Sequence, residues 1–514
     1  MNEARIDEQT TNQAGLFVNS RWNLVAFAFA LAPNFITVPL VVRLIGITAF
    51  GRAGLVLAVC APLVLVGTVL GQAVVREVSS RLATGDGEGS RRTVDAALRL
   101  CLAAGTIGWL LLVATGPRIT SDVMSEGTPY SVQNLAFLIA ATGWFFQQFS
   151  LVFQAISAAR QDYRTLAGVA ALSGAATIVS TLGLTSIAPA AEGYLGGVAA
   201  GFALSAIAWW LVLRRDIRWR GILRANRNAE LRSLLRFARW QGLSLLAGAF
   251  SNQIDRYTLG SVAPVSVIGQ YNVANRLQEA AYIGAVRSGE VLFPRFGSLS
   301  GRSGEERSEL FQRGSWLVGT FSVMVLAPLI PLSDALISLW VPQAGLGAAV
   351  LLRTLVLGGV VGCGSNVITY YAMGIGRNAP VALITVSYSV ITIVFTVILI
   401  HAFGPLAAGS GLLLASAVRV VAGLVWTKRD FFPFLSWAEL SISTLVPLIA
   451  GSLVAIATYL VGIGEIDSWV HLVAIYVALS ASVLVVTVIM TSLNANGRLL
   501  VSALIESVRS RKLS

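Results

Sequence analysis

The sequence has little charge and almost no lysine. Of its 514 residues only 12% are Asp, Glu, Lys or Arg, about half the share of an ordinary soluble domain. Of the 37 basic residues all but Lys428 and Lys512 are Arg. Histidine is limited to His401 and His471, near expected helix ends with no cluster of Cys or carboxylate beside them, so no metal or acid–base role is assigned. Cysteine is equally sparse. Cys60, Cys101 and Cys363 sit singly in apolar stretches, a set that offers neither a disulfide framework nor a metal-ligand spacing, and they read as packing residues. No small-residue cleavage site follows the first apolar stretch, so the first helix is expected to remain as an anchor.

Apolar sequence is abundant. Hydrophobic residues make up 55% of the chain, and at roughly 20 residues per membrane-spanning helix they allow on the order of fourteen spans. Hydropathy places six near Leu24 to Val42, Ala53 to Val75, Ala96 to Ala114, Val132 to Ala158, Leu166 to Ile187 and Tyr194 to Leu213. After an Arg-rich stretch come Gln241 to Val262, Val267 to Val286, Trp316 to Leu332, Leu346 to Tyr370, Val381 to Ile400 and Leu406 to Trp426, then Leu440 to Gly462 and Trp469 to Leu493. The expected fold is therefore all-α and polytopic. Its parts are an N-terminal lobe (1–213), a basic connector (214–240), a C-terminal lobe (241–427), and a last helix pair with its tail (428–514).

The arginines give the chain an orientation. Thirty of the 37 basic residues fall in or at the edge of alternate connections, whereas the opposite connections hold only Arg43, Arg52 and Arg118. By the positive-inside rule both termini are cytoplasmic. The segment Val267 to Val286 carries Gln270, Asn272, Asn275, Arg276, Gln278 and Glu279 and would fail a hydropathy scan. A crossing is expected there because the connections on either side, Arg214 to Arg239 and Arg287 to Arg313, are both basic; an interfacial helix is the alternative. The Arg214 to Arg239 stretch itself reads either as an amphipathic helix on anionic membrane lipids or as a topology determinant.

An internal repeat supports the count. Arg81 and Arg295, Arg214 and Lys428, and Arg215 and Arg429 are each 214 residues apart. Ala188 to Leu213 and Phe403 to Thr427 both start at a Pro-containing turn and run through a Gly/Ala/Ser-rich helix to a basic doublet. Such small residues let helices approach closely in lipid. Six helices per repeat is an even number, so the two lobes are expected to be related by an axis along the bilayer normal and to enclose a cleft.

Ionisable groups at membrane depth cost roughly 2.5 to 3.5 kcal/mol each on insertion scales, so they face a cavity or a partner. Those expected within helices are Asp255 and Arg256 in the seventh, Arg276 and Glu279 in the eighth, Arg353 in the tenth and Arg419 in the twelfth. Asn272, Arg276 and Glu279 share one helical stripe, and Asn252 and Asp255 form a shorter one. Facing stripes would line a wet cavity. Arg276 is equally open to a structural ion pair with Glu279 or Asp255. Four arginines against two carboxylates leave a cationic excess, to which Arg43 and Arg52 add near the outer end of the first lobe. Such a site suits a cargo that combines phosphate with hydroxyls, because guanidinium binds phosphate through paired hydrogen bonds and amides suit sugar hydroxyls. Tyr271, Tyr282, Tyr370 and Tyr371 are either stacking surfaces for sugars or membrane-interface anchors.

Several motifs resemble those of a known family. They are Arg43-Leu-Ile-Gly-Ile-Thr-Ala-Phe-Gly51, Asp255, Ile268-Gly-Gln-Tyr271, Ala274-Asn-Arg276, Phe293-Pro-Arg295 and the Gly376-Arg377 turn. Together with the topology they resemble the polysaccharide and O-antigen flippases of bacteria, within the multidrug, oligosaccharidyl-lipid and polysaccharide exporter superfamily. The resemblance implies a cargo of polyprenyl-pyrophosphate-linked oligosaccharide, turned across the inner membrane with no covalent bond changed, no cofactor beyond a possible coupling proton or sodium ion, and the polysaccharide polymerase machinery as a further partner. It implies cavity roles for Arg276 and, more loosely, Arg43, Arg52, Arg353 and Arg419. For Asp255 it leaves two roles open: counter-ion to Arg276, or the site of a coupling cation or proton. Rival readings are a murein lipid-precursor flippase and a cation-coupled drug exporter, the latter disfavoured by the cationic excess. A membrane polymerase or ligase is disfavoured because the longest outer loop, about Thr115 to Ser131, is short.

Overall fold

Every regular element among the described residues is a helix, as backbone that must satisfy its own hydrogen bonds in lipid requires. The structure is a computed structural model and describes residues 29, 33–119, 130–214, 231–232, 234, 245–290, 292, 296 and 303–502. The N-terminal tail, the start of the first expected span, nearly all of the Arg-rich connector, the Phe293-Pro-Arg295 motif and the tail beyond 502 lie outside the described residues. Large apolar side chains stand outward along whole helices, Val179 at 72% exposure among them, which a soluble surface does not tolerate in such continuity. The chain is a multi-pass membrane protein.

It divides into two units, Met1–Ala249 and Phe250–Ser514. In the first, α1 (Pro33–Leu82) has 50 residues, about 75 Å of helix and more than twice the ~30 Å hydrocarbon core. Gly46 interrupts it at φ +77°, inside the Arg43 to Gly51 connection where the sequence separates the first two spans. A right-handed helix of L-residues does not pass through that conformation. The unit continues with α2 (Gly87–Ile119), α3 (Tyr130–Ala159), α4 (Tyr163–Ile187) and α5 (Ala191–Leu213). α3 packs against α1, α2 and α5, and α4 packs against α5. Asp162 starts α4 by accepting a hydrogen bond from the Thr165 amide at 3.1 Å.

The second unit contains α6 (Ile254–Val262), α7 (Val265–Glu290), α8 (Gly304–Leu326), α9 (Ser333–Trp340), α10 (Gly345–Cys363), α11 (Asn366–Gly374), α12 (Asn378–Phe403), α13 (Ser410–Trp426), α14 (Trp437–Val461) and α15 (Trp469–Ser492). The polar segment that fails hydropathy is α7, with 26 residues, about 39 Å and long enough to cross. It packs against α8 and α10, so its polar side chains are carried on a helix enclosed by others.

α8 starts well before Trp316, where hydropathy begins the span, because the Ser303 hydroxyl caps it through the Glu306 amide and Glu305 and Glu306 occupy its first turn. α8 and α9 meet at 67°. Ten described helices pass a test of length and apolarity, or eleven with this bent pair. The difference from the expected fourteen lies in α1, long enough for two crossings, in polar α7, and in the helix before it, which is broken at Asn252 and Gln253.

One packing detail repeats at the 214-residue offset. A Cβ on Gly197 of α5 would lie 2.3 Å from Thr181 Cα in α4, and a Cβ on Gly411 of α13 would lie 2.8 Å from Thr396 Cα in α12. Gly197 and Gly411 are 214 positions apart. In each unit the last two helices of the repeat therefore touch backbone to backbone at an equivalent glycine.

Candidate functional site

The α6–α7 hairpin turns at Ala263-Pro264, and residues equidistant from that turn face each other. Asp255 and Tyr271 each lie eight positions from Ala263, and Arg256 and Asn272 each lie eight from Pro264. The Tyr271 hydroxyl donates to Asp255 Oδ2 at 3.1 Å. Arg256 Nε donates to Asn272 Oδ1 at 2.6 Å, its Nη1 donates to Gln253 Oε1 at 2.6 Å, and its guanidinium lies 5.3 Å from the Tyr271 ring centre. The second oxygen of Asp255 reaches another helix. It accepts the Gly409 amide at 2.8 Å, and Gly409 is the N-cap of α13 with φ +89°. A carboxylate is thus set against the positive end of a helix dipole.

This arrangement divides the stripe expected on the eighth span. Asp255 and Asn272 are each 4% exposed, and Tyr271 is 2% exposed. They are closed into one network with Arg256, and Tyr271 presents no free ring face. Asp255 is not paired with Arg276. Arg276 itself is half-buried, Glu279 is exposed, and neither forms an ion pair among the described residues. Arg256 was singled out by charge alone; its placement by the hairpin's symmetry about Pro264 was the signal that could have assigned its partners.

Arg419 of α13 is half-buried. Its Nη2 donates to Thr369 Oγ1 at 3.2 Å and its guanidinium lies 5.2 Å from the Tyr388 ring centre. It opens into a small cavity lined also by Ser365, Thr385 and Trp426. Its Nε is buried without a partner, and no carboxylate pairs with it among the described residues. Arg353 differs. It forms an ion pair with Asp334 at the start of α9 and lies 4.8 Å from the Tyr459 ring of α14. The sequence arithmetic gave Arg353 no partner because Asp334 falls outside the expected spans; with Asp334 counted, four arginines face three carboxylates, and Arg276 and Arg419 are the two with no carboxylate partner among the described residues.

In the first unit Arg43 is exposed and Arg52 is half-buried with an unpartnered Nε. Among the other tyrosines, Tyr371 is buried in a cluster with Phe296, Phe311, Phe431 and Phe432, and the Tyr370 hydroxyl donates to the Val286 carbonyl at 3.3 Å. Cys60, Cys101 and Cys363 are free and buried.

The described residues define the class by fold: a polytopic all-helical membrane protein with arginines carried within its helices. The chain belongs to the polysaccharide biosynthesis protein family, whose profile matches residues 19–300. The comparison with curated proteins finds no match. Among solved structures the chain is similar to the lipid II flippase MurJ in an inward closed conformation, with 13% identity and a TM-score of 0.68 over 93% of this chain and 99% of that one. It is also similar to an inward-facing multidrug resistance MATE family transporter of the MOP superfamily, with 16% identity and a TM-score of 0.66 over 79% of this chain and 98% of that one. The chain shares its fold with these two proteins.

Proposed function

We propose that this chain is a flippase that carries polyprenyl-pyrophosphate-linked oligosaccharide from the cytoplasmic to the outer leaflet of a bacterial inner membrane by alternating access, both termini being cytoplasmic. It supplies lipopolysaccharide or exopolysaccharide biosynthesis and changes no covalent bond. The observation that carries this reading is that Arg276 and Arg419 stand inside the second unit with no carboxylate partner among the described residues. An unpaired guanidinium at membrane depth is unfavourable until an anion arrives, and a pyrophosphate offers the oxygens that its fork of donors matches. The family's description supports a polysaccharide role, and the likeness to a lipid II flippase supports a lipid-linked cargo. Two negative charges moved outward through an inside-negative potential of 100 mV gain about 4.6 kcal/mol, so the field assists the anionic head.

Arg276→Ala at unchanged protein level is expected to abolish surface polysaccharide and to leave labelled lipid-linked oligosaccharide in the cytoplasmic leaflet. Arg276→Lys, which keeps charge without the planar fork, should retain part of the export. Normal polymer in a well-expressing Arg276→Ala strain would remove Arg276 from the cargo path. A murein-precursor flippase is the second reading, favoured by the longer stretch shared with MurJ. Growth of a strain depleted of its own murein-precursor flippase, sustained by this chain, would select it over the first.

A further inference from the structure

We propose that Arg256 is a tethered cation: its guanidinium fills the oxygen-lined site beside Asp255 that would otherwise take up a small monovalent ion, so that this chain needs no exchangeable sodium there. The inference goes beyond the cargo reading and does not depend on which lipid-linked sugar is carried.

A carboxylate closed off from water must be neutralised by a proton, a bound ion or a fixed positive group. Asp255 is closed off, and its two oxygens take only neutral donors, the Gly409 amide and the Tyr271 hydroxyl. Immediately beside it the helix is broken at Asn252 and Gln253, a feature that in membrane transporters exposes backbone carbonyls to bound ions. The Gln253 and Asn272 amide oxygens both point at one locus, with the Asn252 carbonyl more distant. Acceptor oxygens converging from a broken helix and its neighbour are the ligand set of a hard cation.

In this chain the locus holds nitrogen. Arg256 meets the two amide oxygens at 2.6 Å each and the carbonyl at 3.4 Å. Arg256 is 9% exposed and forms no ion pair within 4.0 Å among the described residues. Tyr271 joins the two charges, its hydroxyl on the carboxylate and its ring face beneath the guanidinium. Asp255 and Arg256 are thus neutral as a unit and fixed on the same turn of α6. The other charged groups of the hairpin, Arg276 and Glu279, make no hydrogen bond to these residues and act on Arg256 through space with opposite signs.

The test is thermal melting of the purified full chain in choline, sodium or low-millimolar guanidinium chloride. The wild-type protein should melt at the same temperature in sodium as in choline. Arg256→Ala should melt lower in choline and recover with guanidinium or sodium, each tenfold increase in ion above its dissociation constant adding an equal further rise. The double variant Asp255→Asn/Arg256→Ala, with neither charge, should show no such response. A sodium-dependent wild-type melt, or an Arg256→Ala melt indifferent to every cation, overturns the proposal. If Arg256→Ala alone is not recovered folded, recovery of the double variant supports it and equal loss of both overturns it. Because the readout contains no cargo, its failure is distinct from a failure of the flippase reading.

Discussion

A guanidinium within a membrane is stable only where something replaces its water, and the arginines of the second unit meet that condition in different ways. Arg256 has amide oxygens and a ring, Arg353 has Asp334 and a ring, and Arg276 has no ion pair among the described residues. The stability effects of removing them should therefore differ in sign. Arg353→Ala should lower stability by about 1 kcal/mol, a small value because the Asp334 side chain is 50% exposed and its Coulomb attraction is screened. Arg276→Ala should leave the unfolding midpoint unchanged or raise it, since an unpaired Arg at helix centre opposes insertion by roughly 2.5 to 3.5 kcal/mol. Unfolding of both variants in the same detergent decides this, and an Arg276→Ala protein as destabilised as Arg353→Ala would mark Arg276 as structural. The residue types of the site were legible in the sequence because charge inside an apolar run stands out. Their partners were legible only inside the hairpin, where spacing from the Ala263-Pro264 turn pairs them. Gly409 lies 154 residues from Asp255, and nothing local in the sequence joins the two.

At the scale of elements, hydropathy located nearly every helix, and loop charge located α7 where hydropathy failed. The bend between α8 and α9 was not legible, because an apolar run looks the same straight or bent. Two prolines account for it: Pro328, with no N–H for the Met324 carbonyl four residues earlier, opens the last turn of α8, and Pro331, with none for the Ala327 carbonyl, sits in the break between Leu329 and Ser333. α15 repairs that opening. Ser480 Oγ donates to the Met324 carbonyl at 3.0 Å and the Tyr476 hydroxyl donates to the Val325 carbonyl at 2.8 Å. At the other end of the contact, Trp316 Nε1 donates to Thr491 Oγ1 at 2.9 Å. The last helix thus braces a bent helix of its own unit. Ser480→Ala and Tyr476→Phe should each destabilise the fold by about 0.6 kcal/mol and at most about 1.7, the range for interhelical hydrogen bonds in membranes. A double variant as stable as the parent would show that the bend stands without the brace.

For the whole molecule, the strongest sequence signal was the asymmetry of arginine between alternate connections, and it makes a claim that extends to the repeat. A parallel repeat of six helices puts equivalent connections of the two units on the same side of the membrane, whereas an inverted repeat would put them on opposite sides. Gly87, the first residue of α2, and Ser303, the N-cap of α8, end equivalent connections near the 214-residue offset, and both are exposed. Gly464, in the turn between α14 and α15, is exposed too, and a Cβ there meets nothing within 4 Å. The three native cysteines are buried, so background labelling by an impermeant thiol reagent should be low. In intact cells a cysteine at Gly464 should react, while cysteines at Gly87 and Ser303 should both stay protected until the membrane is opened. Reversed labelling at all three sites would overturn the orientation but leave the repeat intact. Labelling that separates Gly87 from Ser303 would overturn the parallel repeat itself, because backbone contacts such as those at Gly197 and Gly411 can recur in either relation, while the side on which a connection emerges cannot.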